Sequence, residues 1–355
     1  MPVPALAPVP RPDLDHVLAH TESLWREMAG ASVFITGGTG FFGLWLLESL
    51  AWANTRLKVG VRATVLSRDP QHFLDRMPHL ASRTEFDWLR GHPATFSFPS
   101  AHHDYLLHLA TATSAHLDRT NPVEMIKTKL FSVTHALDYA RYAGIRRVLV
   151  TSSGAVYGPQ PAGLSHVPET YAGAPDPMDP ASAYGNGKRL VEQICSLASD
   201  VDTVIARCFS FIGPHLPLDA RFAVGNFLRD AIAGEQVTVQ GDGSAVRSHL
   251  HAADLTIWLL AMLVRGQPGR AYNVGSEEAV TIAELAQRVA ALAPGKPAVR
   301  ILGTSSDRIG SRYVPDTARA QSELGLVPRI HLDDAITRTL AWYLNAGESK
   351  CGNPR

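Results

Sequence analysis

The sequence predicts an α/β protein: a doubly wound parallel sheet with helices on both faces, followed by a smaller C-terminal lobe. Three observations carry this prediction. From residue 32 onward, short apolar runs alternate with segments of helical periodicity, the pattern of a parallel sheet with crossover helices. The first of these runs feeds a glycine-rich turn, Gly37-x-x-Gly40-x-x-Gly43, that opens a helix; strand, turn and helix in that order give a glycine spacing its meaning. After residue 209 the alternation breaks into loops, short strands and amphipathic helices. We divide the 355 residues into an N-terminal arm and helix (1–30), a sheet domain (31–209, also receiving about 248–275) and a lobe (210–247 and 276–348).

Taken in order, residues 1–12 hold five prolines and read as an extended arm. Leu14, Val17, Leu18, Leu24 and Trp25 then set out an amphipathic helix over 13–28, which covers a sheet edge or meets a partner. Ser32 to Ile35 is the first strand. In the turn after it, Gly37 permits the tight bend, Gly40 lets backbone approach a pyrophosphate and Gly43 lets helix and strand pack closely. Thr39, Phe41 and Phe42 complete the phosphate-facing turn, whose helix end offers unpaired N–H groups and a positive dipole. Arg62 to Leu66 is the second strand. It ends in Ser67 and Arg68, which suit a ribose 2′-phosphate, so NADP is favoured; Asp69, one step on, keeps NAD open. His72 to Arg90 reads as a helix and a third strand, and Tyr105 to Ala110 as a fourth. Leu109, Ala110 and Thr111 then fall beside a bound dinucleotide. A long helix spans Pro122 to Ala143, stopped by Gly144. Its stripe Ile126, Leu130, Val133, Leu137 serves either the core or a subunit interface.

The chemistry is concentrated between Val148 and Lys188. A buried strand ends in Thr151-Ser152-Ser153, and a later helix opens with Tyr184-Gly185-Asn186-Gly187-Lys188. Tyr and Lys at i and i+4 share a helical face. An ammonium beside the phenol stabilises the phenolate, bringing its proton transfer closer to neutral pH. The two glycines inside this helix cost roughly 1 kcal/mol each; close approach to backbone or cofactor, or helix packing in a dimer, would explain them. Thr203 to Cys208 is a further strand, Phe222 to Ala233 a helix, Val237 to Gln240 a strand, and 281–293 and 332–345 are amphipathic helices.

Composition narrows the function classes. Hydrophobic residues make up 45% and charged residues 19%, as in ordinary soluble enzymes. Lys+Arg and Asp+Glu both total 33, so neither nucleic acid nor a membrane surface is an expected partner. Cys195, Cys208 and Cys351 stand far apart, which argues against a disulfide framework or structural zinc and for a reducing compartment. His249 and His251 alternate, but no third ligand accompanies them, so no metal is expected. Residues 1–12 lack the charged and apolar blocks of a signal peptide, and the longest apolar run, Leu255 to Val264, is half a membrane span. A cytoplasmic protein is expected.

Together these elements resemble the extended short-chain dehydrogenase/reductase family, the NAD-dependent epimerases and dehydratases that modify nucleotide sugars. The resemblance covers about 32–345 and rests on motifs in family order: the glycine turn, His108-Leu109-Ala110, Ser152-Ser153-x-x-Val156-Tyr157-Gly158 and Pro180-x-Ser182-x-Tyr184-x-x-x-Lys188. Arg207-x-x-x-x-x-Gly213-Pro214, Gly241-Asp242-Gly243-x-x-x-Arg247, Tyr272-Asn273-Val274-Gly275-Ser276 and Arg312 before Pro315-Asp316 complete it. It implies a Rossmann domain with tightly bound NAD or NADP, a lobe that holds a nucleoside-diphosphate sugar, and a homodimer. Carried over, Tyr184 becomes the catalytic acid or base, Lys188 binds the nicotinamide ribose, and Ser153 is the catalytic hydroxyl. Arg247 and Arg312 grip the diphosphate, and Ser210 and Asn226 lie by the substrate.

The departures shape the functional expectation. Family dehydratases carry Asp-Glu after the catalytic hydroxyl and the decarboxylases keep the Glu; this chain has Gly154-Ala155, with no proton to give or take. Dehydratase and decarboxylase are therefore disfavoured, and the small pair is expected to leave room for a sugar to turn. Ser210 replaces a substrate-touching Asn. The leading expectation is a nucleotide-sugar epimerase acting through a transient 4-keto sugar. The alternatives are an NADPH-dependent 4-ketoreductase making a deoxysugar and, less favoured, a non-catalytic NAD(P)-binding protein.

Overall fold

Seven short apolar runs become one parallel sheet. In the computed structural model, which describes residues 5–110, 121–218, 222–304 and 310–351, these strands are β1 (Ser32–Thr36), β2 (Arg62–Ser67), β3 (Phe86–Arg90), β4 (Tyr105–His108), β5 (Arg147–Ser153), β6 (Thr203–Cys208) and β11 (Arg270–Val274). Their order is β11-β6-β5-β4-β1-β2-β3, with every neighbouring pair parallel. Strands covered on both faces read as unbroken apolar runs rather than alternating ones, which is why β4 is buried along its whole length and β5 along all but its first residue. The connection reverses direction between β1 and β4, so a crevice opens outside their C-terminal ends.

The helices follow the signals expected of them. α1 (Arg11–Glu27) precedes the sheet, α2 (Phe41–Leu57) follows β1, and α3 (Pro70–Arg76) and α4 (Pro78–Ala81) replace the single helix expected before β3. α5 (Pro122–Ala143) is capped by Asn121, whose side chain accepts the Glu124 N–H, and ends on Gly144 in the left-handed conformation. α6 (Ala183–Leu197) carries Tyr184 and Lys188. Of the stripe on α5, Val133 and Leu137 are buried and Ile126 and Leu130 half-buried, which assigns that face to the core.

The lobe is built from β7 (Phe211–Ile212), α7 (Ala223–Ile232), β8 (Val237–Val239), β9 (Val246–Arg247), β10 (Leu250–His251), β12 (Val280–Thr281), α9 (Ile282–Leu292), β13 (Val299–Ile301) and β14 (Arg312–Tyr313). Short sheets β12-β9-β14 and β13-β8 hold it together. α8 (Ala252–Arg265) returns the chain to the sheet domain, and α10 (Ala318–Leu324) and α11 (Leu332–Cys351) close it.

Every residue of α8 from Ala252 to Leu263 is buried, because α1 lies over it. Leu14, Val17, Leu24 and Trp25 face that seam, His16 pairs with Asp254 at 3.0 Å and Arg265 with Glu27. The N-terminal helix therefore packs on α8 and α2 of its own chain and lies on a helix layer, not a sheet edge. Ahead of it, residues 5–10 are extended and tied down: the Leu6 N–H donates to Arg76 O and the Trp342 indole to Pro8 O. Among the described residues no helix is long and apolar enough to cross a membrane.

His249 and His251 are fully enclosed. His251 Nδ1 caps α8 by accepting the Ala253 N–H, and no cluster of three potential metal ligands exists among the described residues. Burial pulls these two histidines down to about 4, and His108 and His215 to about 3. Each stays neutral in the folded chain but takes up a proton at about 6.5 when unfolded. Stability is therefore complete above that pH and falls as pH drops toward the folded values, each histidine contributing about 1.4 kcal/mol per pH unit. The urea midpoint is expected to be clearly lower at pH 5 than at pH 7.5; equal midpoints would contradict this.

Candidate active site

The crevice at the C-terminal ends of β1 and β4 is shaped by glycine. Gly37 adopts φ +73°, and a Cβ there would stand 2.7 Å from the Ala110 nitrogen; one at Gly43 would stand 2.3 Å from the Gly38 Cα. The turn thus lies against Leu109 and Ala110 at the end of β4, with the Leu109 N–H donating to Thr36 O. Gly40 differs: a Cβ there would meet only the Gly37 oxygen, at 3.4 Å, so space above the turn is open. α2 starts with no side-chain cap, leaving the N–H groups of Phe41, Phe42 and Gly43 without intrahelical acceptors. This arrangement fits a dinucleotide diphosphate. Phe42 itself packs edge-on against Phe211, 5.1 Å away, and Thr39 is half-buried beside the turn. Thr111 lies outside the described residues.

At the end of β2, Ser67 is buried and its Oγ accepts the Asp69 N–H at 3.3 Å. Arg68 is exposed. The Asp69 carboxylate accepts the His72 N–H and caps α3, so the acidic residue that kept NAD open is engaged in holding a helix.

β5 and α6 carry the residues expected to transfer protons, Ser153 on the first and Tyr184 and Lys188 on the second. Ser153, the last residue of β5, accepts the Ala155 N–H at 3.2 Å and lies 3.2 Å from the Tyr313 hydroxyl. Lys188 is 1% exposed and donates to Thr151 O at 2.7 Å. Thr151 in turn donates to His108 O, and the His108 ring contacts the Thr36 hydroxyl at 3.0 Å. Burial, then the neighbouring ammonium of Lys129, brings Lys188 down to about 7. Both glycines of α6 are explained within the chain: a Cβ at Gly185 would stand 2.6 Å from Ala155 O, and one at Gly187 3.3 Å from the Lys129 Cδ.

Beneath this set runs a buried polar network. Ser152 donates to Glu192, which pairs with Arg207 at 2.7 Å. Arg207 donates to the Tyr157 hydroxyl at 2.8 Å, Tyr157 to the Asn273 side chain at 2.7 Å, and the Asn273 N–H to Glu169 at 2.8 Å. Burial lowers the affinity of Arg207 for its proton, but Glu192 outweighs it and the net shift is upward. Burial pushes the Tyr157 phenol up to about 12, so it stays a donor.

One expectation changes, and four residues expected at the substrate are found bonded within the chain. The space expected over Gly154-Ala155 is filled: the Phe209 ring lies 2.6 Å from where a Gly154 Cβ would be, and it stacks on Tyr313 with centroids 4.6 Å apart. Gly154 is therefore small because an aromatic ring occupies its place. Arg247 and Arg312 sit on the paired strands β9 and β14, yet both are engaged with the chain, Arg247 donating to Val246 O and Ser311 O, and Arg312 to Ser165 O at 3.4 Å. Ser210 uses its carbonyl to accept the Leu250 N–H, and Asn226 accepts from Arg229.

Lys129, Phe209 and Tyr313 also reach the site and were not foreseen. Lys129 had a signal: it occupies the apolar stripe Met125, Lys129, Val133, Leu137 of α5. Tyr313 and Phe209 had none, since each is placed by a long-range contact.

A family model, the NAD dependent epimerase/dehydratase family, matches residues 33–275. UDP-glucuronic acid decarboxylase 1 of Arabidopsis thaliana is 29% identical over 317 residues, 88% of this chain and 70% of that one. Among solved structures, UDP-glucose 4-epimerase with UDP-glucose from Thermotoga maritima aligns with TM-score 0.73 at 20% identity, covering 88% of this chain and 99% of that one. dTDP-glucose 4,6-dehydratase of Bacillus anthracis in complex with NAD gives 0.73 at 16% identity, covering 90% and 98%.

Gly154→Ala forces a methyl group into the Phe209 ring and is expected to destabilise the fold by about 1–3 kcal/mol. An unchanged thermal midpoint would show that the ring moves aside freely.

Proposed function

Because this chain belongs to the NAD-dependent epimerase/dehydratase family, enzymes of the extended short-chain dehydrogenase type, we propose that it is a nucleotide-sugar 4-epimerase. In this reading it oxidises the C4 hydroxyl of a nucleoside-diphosphate sugar transiently and restores it with inverted configuration. What supports this is Ser153 at the end of β5, Lys188 bound to Thr151 O of the same strand with Tyr184 one turn before it on α6, and no carboxylate on Gly154-Ala155. The Gly37–Gly43 turn and the N-terminus of α2 would hold the diphosphate of a nicotinamide dinucleotide, which would supply hydride acceptance and return. Tyr184 takes the hydroxyl proton and gives it back. Ser153, fixed by the Ala155 N–H, hydrogen-bonds the same oxygen. Lys188 holds the nicotinamide ribose and favours the phenolate. Arg247 and Arg312 are the cations offered to the diphosphate, exchanging their backbone carbonyls for phosphate oxygens.

We assign NADP as the dinucleotide. Arg68 is exposed at the ribose end of β2, while Asp69 is engaged in capping α3. The exposed apolar side chains of Phe131, Leu190 and Leu197 on α5 and α6 are the surface on which the expected homodimer would pair.

A second reading is decarboxylation of a nucleotide-linked glucuronate, favoured by the Arabidopsis relative. Once C4 is a ketone, a C6 carboxylate belongs to a β-keto acid and leaves as carbon dioxide without proton removal at C5. The missing carboxylate therefore weighs less against this outcome than against dehydration.

One experiment separates these readings. Purified enzyme is incubated with UDP-glucose and, separately, UDP-glucuronate, with no added reductant, and the products are followed by NMR. Inversion at C4 is expected; carbon dioxide release with a UDP-pentose would establish the second reading. Stoichiometric NADPH consumption on a 4-keto-6-deoxy nucleotide sugar would overturn both. Tyr184→Phe is expected to lower kcat by about 10²–10⁴-fold. Arg68→Ala is expected to weaken NADP binding about tenfold, or about 1.4 kcal/mol, with NAD binding changed far less. Equal losses for the two dinucleotides would refute the NADP assignment.

A further inference from the structure

Tyr313 belongs to the lobe, yet its hydroxyl ends in the sheet domain, 3.2 Å from Ser153 Oγ and 3.4 Å from Cys208 O. Its ring is held on the way. It stacks on Phe209 with centroids 4.6 Å apart, and Phe209 fills the place of the missing Gly154 Cβ. The next residue is tied as well: the Val314 N–H donates to Gln160 at 3.0 Å, and Val314 O accepts the Val167 N–H at 2.9 Å. Burial raises the phenol above its ordinary value, so at neutral pH it keeps its proton. It has that one proton to give, and the nearer acceptor is Ser153.

A serine oxygen has two lone pairs and one proton. The Ala155 N–H takes one lone pair of Ser153, at 3.2 Å. When the Tyr313 O–H takes the other, the serine's own proton is left for a substrate. An oxygen that is becoming a ketone needs such a donor, because it has just given its proton to Tyr184. We propose that Tyr313 is a positioning residue acting through Ser153: its phenol donates to the serine oxygen and so commits the serine proton to the sugar oxygen. The proposal rests on the reading of Ser153 as the hydroxyl that meets that oxygen.

The strand that carries Tyr313 adds a link to the lobe. Tyr313 follows Arg312 in the chain and stands opposite Arg247 in the register of β14 on β9. The phenol thus adjoins both cations offered to the diphosphate. A substrate held by those arginines also steadies the strand that sets the serine.

The test is a double-mutant cycle with Tyr313→Phe, Ser153→Ala and the pair, measured on the nucleotide sugar that the protein turns over. Tyr313→Phe keeps the ring and removes only the hydroxyl. It is expected to lower kcat about 5–10-fold, the size of one hydrogen bond, with KM nearly unchanged. In the Ser153→Ala protein the same substitution is expected to cost nothing further, because the group it acts through is gone. Equal fold losses in the two backgrounds, as a merely structural tyrosine would give, overturn the proposal, and so does full kcat in Tyr313→Phe. A second readout needs no substrate: the NMR signal of the Tyr313 ring carbon bonded to oxygen, assigned as the one absent from Tyr313→Phe. It is expected to move in Ser153→Ala, and an unmoved signal overturns the proposal. If the wild-type protein turns over no nucleotide sugar, the proposed function falls, and this signal alone decides whether Tyr313 and Ser153 act as a pair.

Discussion

The guanidinium of Arg207 is the point on which this structure depends. It projects from β6 into a nearly dry space and meets Glu192 of α6 on one side and Tyr157 on the other. Through Glu192 it fixes the helix that carries Tyr184 and Lys188, and Glu192 also holds Ser152 at the end of β5. Through Tyr157 it reaches Asn273 of β11, whose side chain donates to Val167 O and Asp316 O. A charge in such a place is tolerable only with every hydrogen bond made, so these segments have one mutual arrangement. Ser153 and Lys188 thus sit on two elements that this network holds together.

That network also explains why motifs so far apart in sequence recur together. The serines before Val156-Tyr157-Gly158, Arg207 and Asn273 are partners in one hydrogen-bonded chain. Ser153, the next residue along β5, lies outside that chain and is held by the Tyr313 hydroxyl and the Ala155 N–H. What Gly154 and Ala155 lack in proton chemistry is matched by what packs there: the Phe209 and Tyr313 rings close the side of the site where a carboxylate would stand.

Much of this was legible in the sequence, and the reason is local. The glycine turn, the strand β4 and the helix Pro122–Ala143 are specified by residues adjacent in the chain: positive φ, apolar runs, an Asn cap and a Gly stop. Tyr184 and Lys188 are likewise fixed by their own helix. What was not legible depends on residues brought together from afar. Phe209 fills the space over Gly154 from another strand end, Tyr313 reaches Ser153 across 160 positions, and Arg247 and Arg312 spend donors on the distant carbonyls of Ser311 and Ser165. No local pattern reports such meetings. Lys129 lies between the two cases, since a lysine in an apolar stripe is visible, but its neighbour Tyr184 is not.

The N-terminal helix has a consequence for how the chain comes to be folded. α1 covers α8 through His16 and Asp254, 238 positions apart, and Asp13 holds Arg338 across 325. The segment near residue 8 is fastened to Trp342 across 334. α1 can meet α2 soon after both are made, but its contact with α8 waits until residues 252–265 exist. Closing loops of that length is slow relative to local folding. The seam between α1 and α8 is thus among the last contacts that the growing chain can complete.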